Sequence, residues 1–209
     1  EGIGYLFTDI PQLARGDRKD FNSRHFLIAG WNHMGFDSHY PNYNPDLDLG
    51  TPLVLQEGVE LINSSGGFVT FYINARIMDK YSEYARTLGE EWMLRTVEQV
   101  AVEEQYGPAE TFVLCPSHPG WREHLKQFAL WMCKAYGARG IYYDQLGSAT
   151  PYPCYSRHIH GPYSGSNEFN RNYVDLIENT LGAMQEIRED SFLMIENCGD
   201  IYSSRVWGS

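Results

Sequence analysis

Two acidic residues stand where packing alone does not call for a carboxylate. Asp144 closes the run Gly140-Ile-Tyr-Tyr, and Glu196 closes Ser191-Phe-Leu-Met-Ile. Both runs are short, apolar and rich in aromatic or aliphatic residues, so each reads as a strand. Side chains alternate along a strand, which puts Asp144 on one face with Tyr142 and Glu196 with Met194. An isolated carboxylate on a covered face is costly and needs a partner or a purpose. Two such groups at the ends of consecutive parallel strands would lie a few ångströms apart. Hydrolysis of a glycosidic bond requires that arrangement. One carboxylate attacks or stabilises the anomeric carbon; the other, its pKa raised by apolar surroundings, protonates the leaving oxygen. The competing reading makes Asp144 a turn cap and pairs Glu196 with a base such as Arg76.

Other polar residues gather at the same strand ends. Trp31, His33 and Asp37 follow the run His25–Trp31, and are candidates to line a cleft and hydrogen-bond sugar hydroxyls. The plain alternative is a core Trp with solvated loop polars. Asn74 and Arg76 follow Gly67–Asn74 and, by alternation, share a face with Tyr72. Arg76 is placed to keep Asp144 ionised through a charge-assisted pair, or to form a purely structural ion pair. Tyr142, Gln145 and Asn197 flank the two carboxylates, and Trp121 follows the loop of His118, itself expected at the surface. His158-Ile-His160 puts two imidazoles on one side of an extended segment, a metal fork that lacks a third ligand unless His33, His39 or Asp37 supplies one. Asp200 is an alternative acid, with a loop cap as its default. No metal or cofactor is required by this reading, and no GxSxG, P-loop or GxGxxG motif occurs.

The elements that must position these residues alternate. Strand-like runs at 25–31, 67–74, 140–144 and 191–196 are separated by amphipathic helices at 54–63, 121–136 and 170–189. Strands alternating with helices, and apolar throughout, predict a parallel sheet in an α/β fold. In such folds the carboxyl ends of the strands carry the site. The loops after them, 32–52 and 146–169, are long and suited to shaping a cleft. Residues 91–106 fit either a helix or a hairpin, and Phe112–Cys115 an extra strand.

Composition limits the partners. Acidic residues outnumber basic ones 27 to 16, a net charge of −11, and no basic stripe is present, so nucleic acid and anionic membranes are disfavoured. No apolar run is long enough to span a membrane. The 15 Tyr and 5 Trp suit either stacking on sugar faces or ordinary core packing. Cys115, Cys133, Cys154 and Cys198 show no CxxC spacing, which argues against a zinc knuckle and for buried thiols. Asn63-Ser-Ser is a glycosylation sequon. The length of 209 residues fits one domain, 1–209, somewhat short for a barrel of roughly 250 residues.

Within residues 25–200, and most specifically 119–145, the chain resembles the (β/α)8 retaining α-glycosidases. Pro119-Gly-Trp-Arg, the helix after it and Gly137-Ala-Arg-Gly-Ile-Tyr-Tyr-Asp144-Gln look like the approach to their nucleophile strand. Trp31-Asn-His-Met-Gly-Phe-Asp37 with Tyr40-Pro-Asn-Tyr-Asn-Pro45 resembles their second-strand loop. The nearest relatives by this resemblance are α-galactosidases and endo-α-N-acetylgalactosaminidases, with this chain on a bacterial branch. Where the α-galactosidases carry Lys two residues before the nucleophile, this chain has Tyr142. They also place an Asp acid/base on the sixth strand.

The resemblance implies a (β/α)8 TIM barrel of which the chain supplies about half, strands two to five. The remaining strands would lie outside it. It implies Asp144 as nucleophile and Glu196 as acid/base in cleaving an α-linked glycoside with retention. A secreted, periplasmic or cell-surface protein that degrades polysaccharides or glycans is expected. The rival readings are a non-catalytic carbohydrate-binding or surface-assembly protein on a barrel scaffold, and a metal-dependent barrel hydrolase using the His pair.

Overall fold

The computed structural model describes residues 5–148, 150–161, 168–197 and 199–208. Its elements, in chain order, are α1 (Ile10–Phe21), β1 (His25–Ile28), α2 (Pro52–Ser64), β2 (Phe68–Asn74), β3 (Ile77–Asp79), α3 (Glu83–Trp92), β4 (Glu103–Glu104), β5 (Thr111–Val113), α4 (Pro119–Tyr136), β6 (Gly140–Asp144), α5 (Phe169–Ile187) and β7 (Phe192–Ile195). The predicted strands and helices are all present. The sequence reading did not anticipate α1 or α3. Residues 91–106 resolve as the end of α3 and a hairpin closed by an Arg95–Ala101 bridge, and the extra strand is β5.

Helix ends follow local chemistry. Thr51 accepts a hydrogen bond from Val54 N ahead of Pro52, and Ser82 caps α3 by accepting from Ala85 N. The Nδ1 of His118 plays that part for α4, accepting from Gly120 N and Trp121 N. His118 is therefore 3% exposed rather than at the surface. Gly137 ends α4 in the left-handed region at φ +68°.

The main sheet is parallel, in the order β1-β2-β6-β7, each strand beside the next in chain order. Helix α2 packs on α4, and α4 on α5. The helices thus form one continuous layer on one face, a singly wound arrangement. Into that layer point Val69, Phe71, Ile73, Ile141, Tyr143, Leu193 and Ile195, none more than 1% exposed. Each contributes roughly 1.5–3 kcal/mol by leaving water. The other face carries Tyr72, Asn74, Tyr142, Asp144, Met194 and Glu196, and here Leu27 is 48% exposed. The sheet is open among the described residues. Beyond β7 the chain returns, with Trp207 N donating to Leu193 O at 2.8 Å and Gly208 bridging Met194 in parallel. A smaller antiparallel sheet, β3-β5-β4, is inserted between β2 and α4. No described helix is long and apolar enough to cross a membrane.

Cys115, Cys133 and Cys154 are buried thiols as expected; Cys198 lies outside the described residues. The Asn63 amide donates to Gly137 O at 2.8 Å, so the sequon's acceptor nitrogen is already engaged.

Gly140 pairs with Thr70 on one side and Phe192 on the other. A Cβ there would lie 2.4 Å from Thr70 Oγ1 and 2.5 Å from the Phe192 ring. Gly140→Ala is expected to destabilise the protein by about 2 kcal/mol through overpacking. Urea unfolding checks this, and a change under about 0.5 kcal/mol would show that the neighbours yield freely.

Candidate active site at the strand carboxyl ends

Register builds the site. Tyr72 pairs with Tyr142 and Asn74 with Asp144 across β2 and β6. Tyr143 pairs with Ile195 across β6 and β7, and Glu196 N continues that ladder by donating to Tyr143 O at 3.2 Å. Glu196 therefore stands abreast of Asp144, one strand away and on the same face.

Asp144 is held through one oxygen. Its Oδ2 accepts from the Tyr72 hydroxyl at 2.6 Å and from Asn74 Nδ2 at 3.1 Å. Asn74 Nδ2 also donates to Gln145 Oε1 at 2.7 Å. Burial pushes the Asp144 carboxyl up to about 6, and the charges of Glu196 and Asp37 add to that rise; the hydrogen bonds from Tyr72 and Asn74 act in the opposite sense. Asp37 is also raised, by burial and then by Glu196. Three carboxylates, Asp37, Asp144 and Glu196, thus share one field. Glu196 Oε2 accepts from Ser148 Oγ at 2.5 Å.

An aromatic wall stands beside them. Tyr142 stacks on Tyr72 at 5.9 Å between ring centroids, and Phe36 meets Tyr72 edge-on at 4.9 Å. Tyr40 accepts from Asp37 N at 2.9 Å, which fixes the loop that brings Asp37 in. At the far end of β6 the chain passes so close to β7 that a Cβ on Gly147 would meet the carbonyl oxygens of Asn197 and Glu196 at 2.2 and 2.3 Å. Only glycine admits that approach, which sets Ser148 against Glu196.

Several expected residues lie elsewhere. Trp31 is fully buried, its Nε1 donating to Tyr72 O at 2.9 Å, so it supports the site from the core and does not line a cleft. Trp121 is likewise buried, against Trp92 and His124. His33 is exposed, with the His39 ring as its neighbour at 6.1 Å. Asn197 is exposed and takes a left-handed backbone at φ +49°. Asp200 is exposed in a turn.

Arg76 is the main correction. It does not face Asp144. Its Nε and Nη2 bind Glu104 at 2.8 and 2.6 Å, and Nη2 also reaches Thr150 O at 3.2 Å. The alternation rule fails because β2 ends at Asn74. The Asn74 Oδ1 accepts from the backbone N–H groups of Arg76 and Ile77 and turns the chain into the small sheet. Glu196 has no tie to Arg76 either. The His158–His160 fork exists, but its neighbours are Cys115 and Cys154, not His33, His39 or Asp37. Tyr72 and Tyr40 were named in the sequence reading without a role at the site, and Ser148 and Gly147 were not singled out. Tyr72 carried a signal in its place two residues before Asn74, and Tyr40 in the loop motif it opens.

The raised pKa of Asp144 has a stability consequence. The group binds its proton more tightly folded than unfolded. The stabilisation is therefore full below the ordinary carboxylate value of 3.8 and is lost as pH rises through about 6. At neutral pH the ionised group costs about 2 kcal/mol after allowance for its partial exposure. Asp144→Asn is expected to be more stable than the parent by about that much at pH 7, with the gap closing near pH 4. Melting temperatures across that range test it; a less stable variant at pH 7 would contradict the assignment of strain to this carboxyl.

The family model described as "Domain of unknown function (DUF6259)" matches residues 8–206. A Bacteroides thetaiotaomicron protein named "Putative glycoside hydrolase" is 33% identical over 138 residues, 65% of this chain and 20% of its own. A Monosiga brevicollis protein of similar name is 30% identical over 155 residues, 68% of this chain and 12% of its own. The chain thus spans a fifth or less of these relatives. Among solved structures, an α-N-acetylgalactosaminidase from Bifidobacterium bifidum in complex with GalNAc superposes with a TM-score of 0.80 at 13% identity, covering 96% of this chain and 31% of that one. A Thermus thermophilus α-galactosidase bound to stachyose gives 0.66 at 16% identity, covering 97% and 38%. The mixed α/β fold with its parallel sheet is therefore one that glycosidase domains also use.

Proposed function

The chain belongs to that DUF6259 family, and we propose that it is the catalytic segment of a glycoside hydrolase, contributing about half of a (β/α)8 barrel. The observation that carries this reading is the shared register of Asp144 and Glu196, with Asp144 tied down, among the described residues, through one oxygen only. Neighbouring strands lie about 4.8 Å apart. Side chains at one level thus start near the separation of about 5–5.5 Å that a retaining pair needs. The names of the relatives and of the structural neighbours favour the same chemistry.

In this reading Asp144 is the nucleophile. Tyr72 and Asn74 hold Oδ2, so Oδ1 is left to form the bond to the anomeric carbon as the glycosidic C–O bond breaks. Glu196, oriented by Ser148, gives its proton to the departing alcohol. It then takes a proton from the water that attacks the same carbon and releases Asp144. Burial costs the ionised Asp144 solvation, which keeps it reactive, and the tyrosine and asparagine hydrogen bonds keep it charged at neutral pH. The Tyr142–Tyr72 pair offers a flat face to the sugar ring. The bond cleaved is α-linked and configuration is retained. The rest of the barrel covers the open sheet face, in a bacterial protein acting on glycans outside the cytoplasm. No cofactor takes part.

The test uses the full-length protein and aryl α-galactosides and α-N-acetylgalactosaminides. Asp144→Ala should abolish turnover. Glu196→Ala should slow it by about 10²–10⁴-fold, and azide should rescue that variant as a glycosyl azide of retained configuration. Full activity in Asp144→Ala, or inverted product by NMR, would sink the assignment.

A pH profile gives a separate check. The nucleophile must be ionised, so kcat/KM should fall as pH drops through about 6. Tyr72→Phe removes a donor that favours the charged form, so it should move that limb to higher pH. A limb that stays in place would mean Tyr72 does not hold Asp144.

A further inference from the structure

The fold brings two thiols and two imidazoles together from two stretches of the chain. Cys115 follows β5, its N–H bound to Trp92 O at 2.9 Å. Cys154, His158 and His160 come from the extended segment between β6 and α5. The Sγ and ring nitrogen atoms of all four lie within 4.8 Å of one another, with both cysteines buried. From these groups we propose a structural zinc site, Cys115–Cys154–His158–His160, that staples the β6–α5 segment to the small sheet.

Geometry favours the metal. Zinc binds thiolate at about 2.3 Å and imidazole at about 2.0–2.1 Å in a tetrahedron. Those lengths place sulfur and nitrogen ligands about 3.6 Å apart. Cys154 Sγ lies 3.6 Å from His158 Nε2. The other ring nitrogen of His158 lies 2.6 Å from Glu91 O. A backbone carbonyl there holds the proton on Nδ1 and leaves Nε2 to bind, the outer arrangement usual for metal-ligating histidines. The Nε2 of His160 is buried and has no hydrogen-bond partner among the described residues. A disulfide would engage both sulfurs and leave these two imidazoles without a role.

The chemistry is balanced. Two Zn–S and two Zn–N bonds form, two thiol protons leave to solvent, and the site of two thiolates and Zn²⁺ is neutral. Four protein ligands fill the tetrahedron, so no position is open for substrate; the role is structural, not catalytic. His118 stacks edge-on against His158 at 4.9 Å but is spent as the α4 cap, which keeps it out of the ligand set. The segment needs such a tie. Among the described residues it has no regular secondary structure, and it is held by scattered bonds such as Ser156 Oγ to Met93 O and Gly161 N to Ser117 O, both 2.8 Å. This inference does not rest on the glycosidase reading.

The experiment measures metal in the full-length protein purified under reducing conditions. About one zinc per chain is expected. Titration of the metal-free protein with Co²⁺ should give a thiolate-to-cobalt charge-transfer band and the visible bands of tetrahedral cobalt. Cys154→Ser and His160→Ala should each weaken zinc by more than about tenfold, the lower end of what losing even an outer partner costs. Cobalt spectra lacking the charge-transfer band would overturn the proposal without any variant having to fold. Peptide mapping that recovers Cys115 joined to Cys154 would overturn it too.

Discussion

The buried side chain of Asn74 is the interaction on which the site depends. Its amide satisfies four hydrogen bonds in two directions. The Oδ1 accepts from Arg76 N and Ile77 N, and the Nδ2 donates to Asp144 and Gln145. An amide has two donors and two acceptor positions, so this one is saturated. The first pair ends β2 and sends the chain into the small sheet. The second fixes the carboxyl end of the neighbouring strand. A single residue with no solvent access therefore couples the path of the backbone to the aim of Asp144. Loss of either pair would strand buried polar groups, at about 1–3 kcal/mol each.

That coupling explains what the sequence disclosed and what it withheld. The βαβ alternation was legible because each strand is buried on its helix-facing side, as Val69, Phe71 and Ile73 are, and each helix carries a matching apolar stripe. The strand-end carboxylates were legible because charge at the end of an apolar run has few structural excuses. Arg76 was misplaced because alternation holds only while the strand lasts, and a side-chain hydrogen bond two residues back ended it. Trp31 was misread for a different reason. An indole is both a sugar platform and a core filler, and only the Tyr72 carbonyl, reached from another strand, decides between them. Of the Cys–His cluster only the His158–His160 fork was legible in the spacing; its thiol partners were not, because Cys115 comes from a distant segment joined by tertiary structure.

The small sheet and the β6–α5 segment look peripheral but share the same logic. Arg76, turned away from the carboxylates, pairs with Glu104 of β4 and reaches Thr150 O just past Ser148. Burial alone would push the Glu104 carboxyl up; the hydrogen bonds and charge of Arg76 outweigh it and hold the group below its usual range. Breaking a buried pair of this kind costs far more than the pair contributes, because one charge is left uncompensated. The clamp thus ties the start of the β6–α5 segment, just past Ser148, to the small sheet through the Thr150 carbonyl.

Asp144 shows the opposite economy. Its surroundings disfavour the charge that the proposed chemistry needs, since burial and two neighbouring carboxylates all favour the neutral form. A fold selected only for stability would place asparagine there, which could still accept from Tyr72 and Asn74. Keeping the acid, while Tyr72 and Asn74 hold one oxygen and no described residue bonds the other, fits the proposed use of a poorly solvated carboxylate oxygen. The same reasoning applies to Gly147, where the backbone is brought against Glu196 O and Asn197 O at a distance no side chain permits. Local cost concentrated on one sheet end fits the proposed site there.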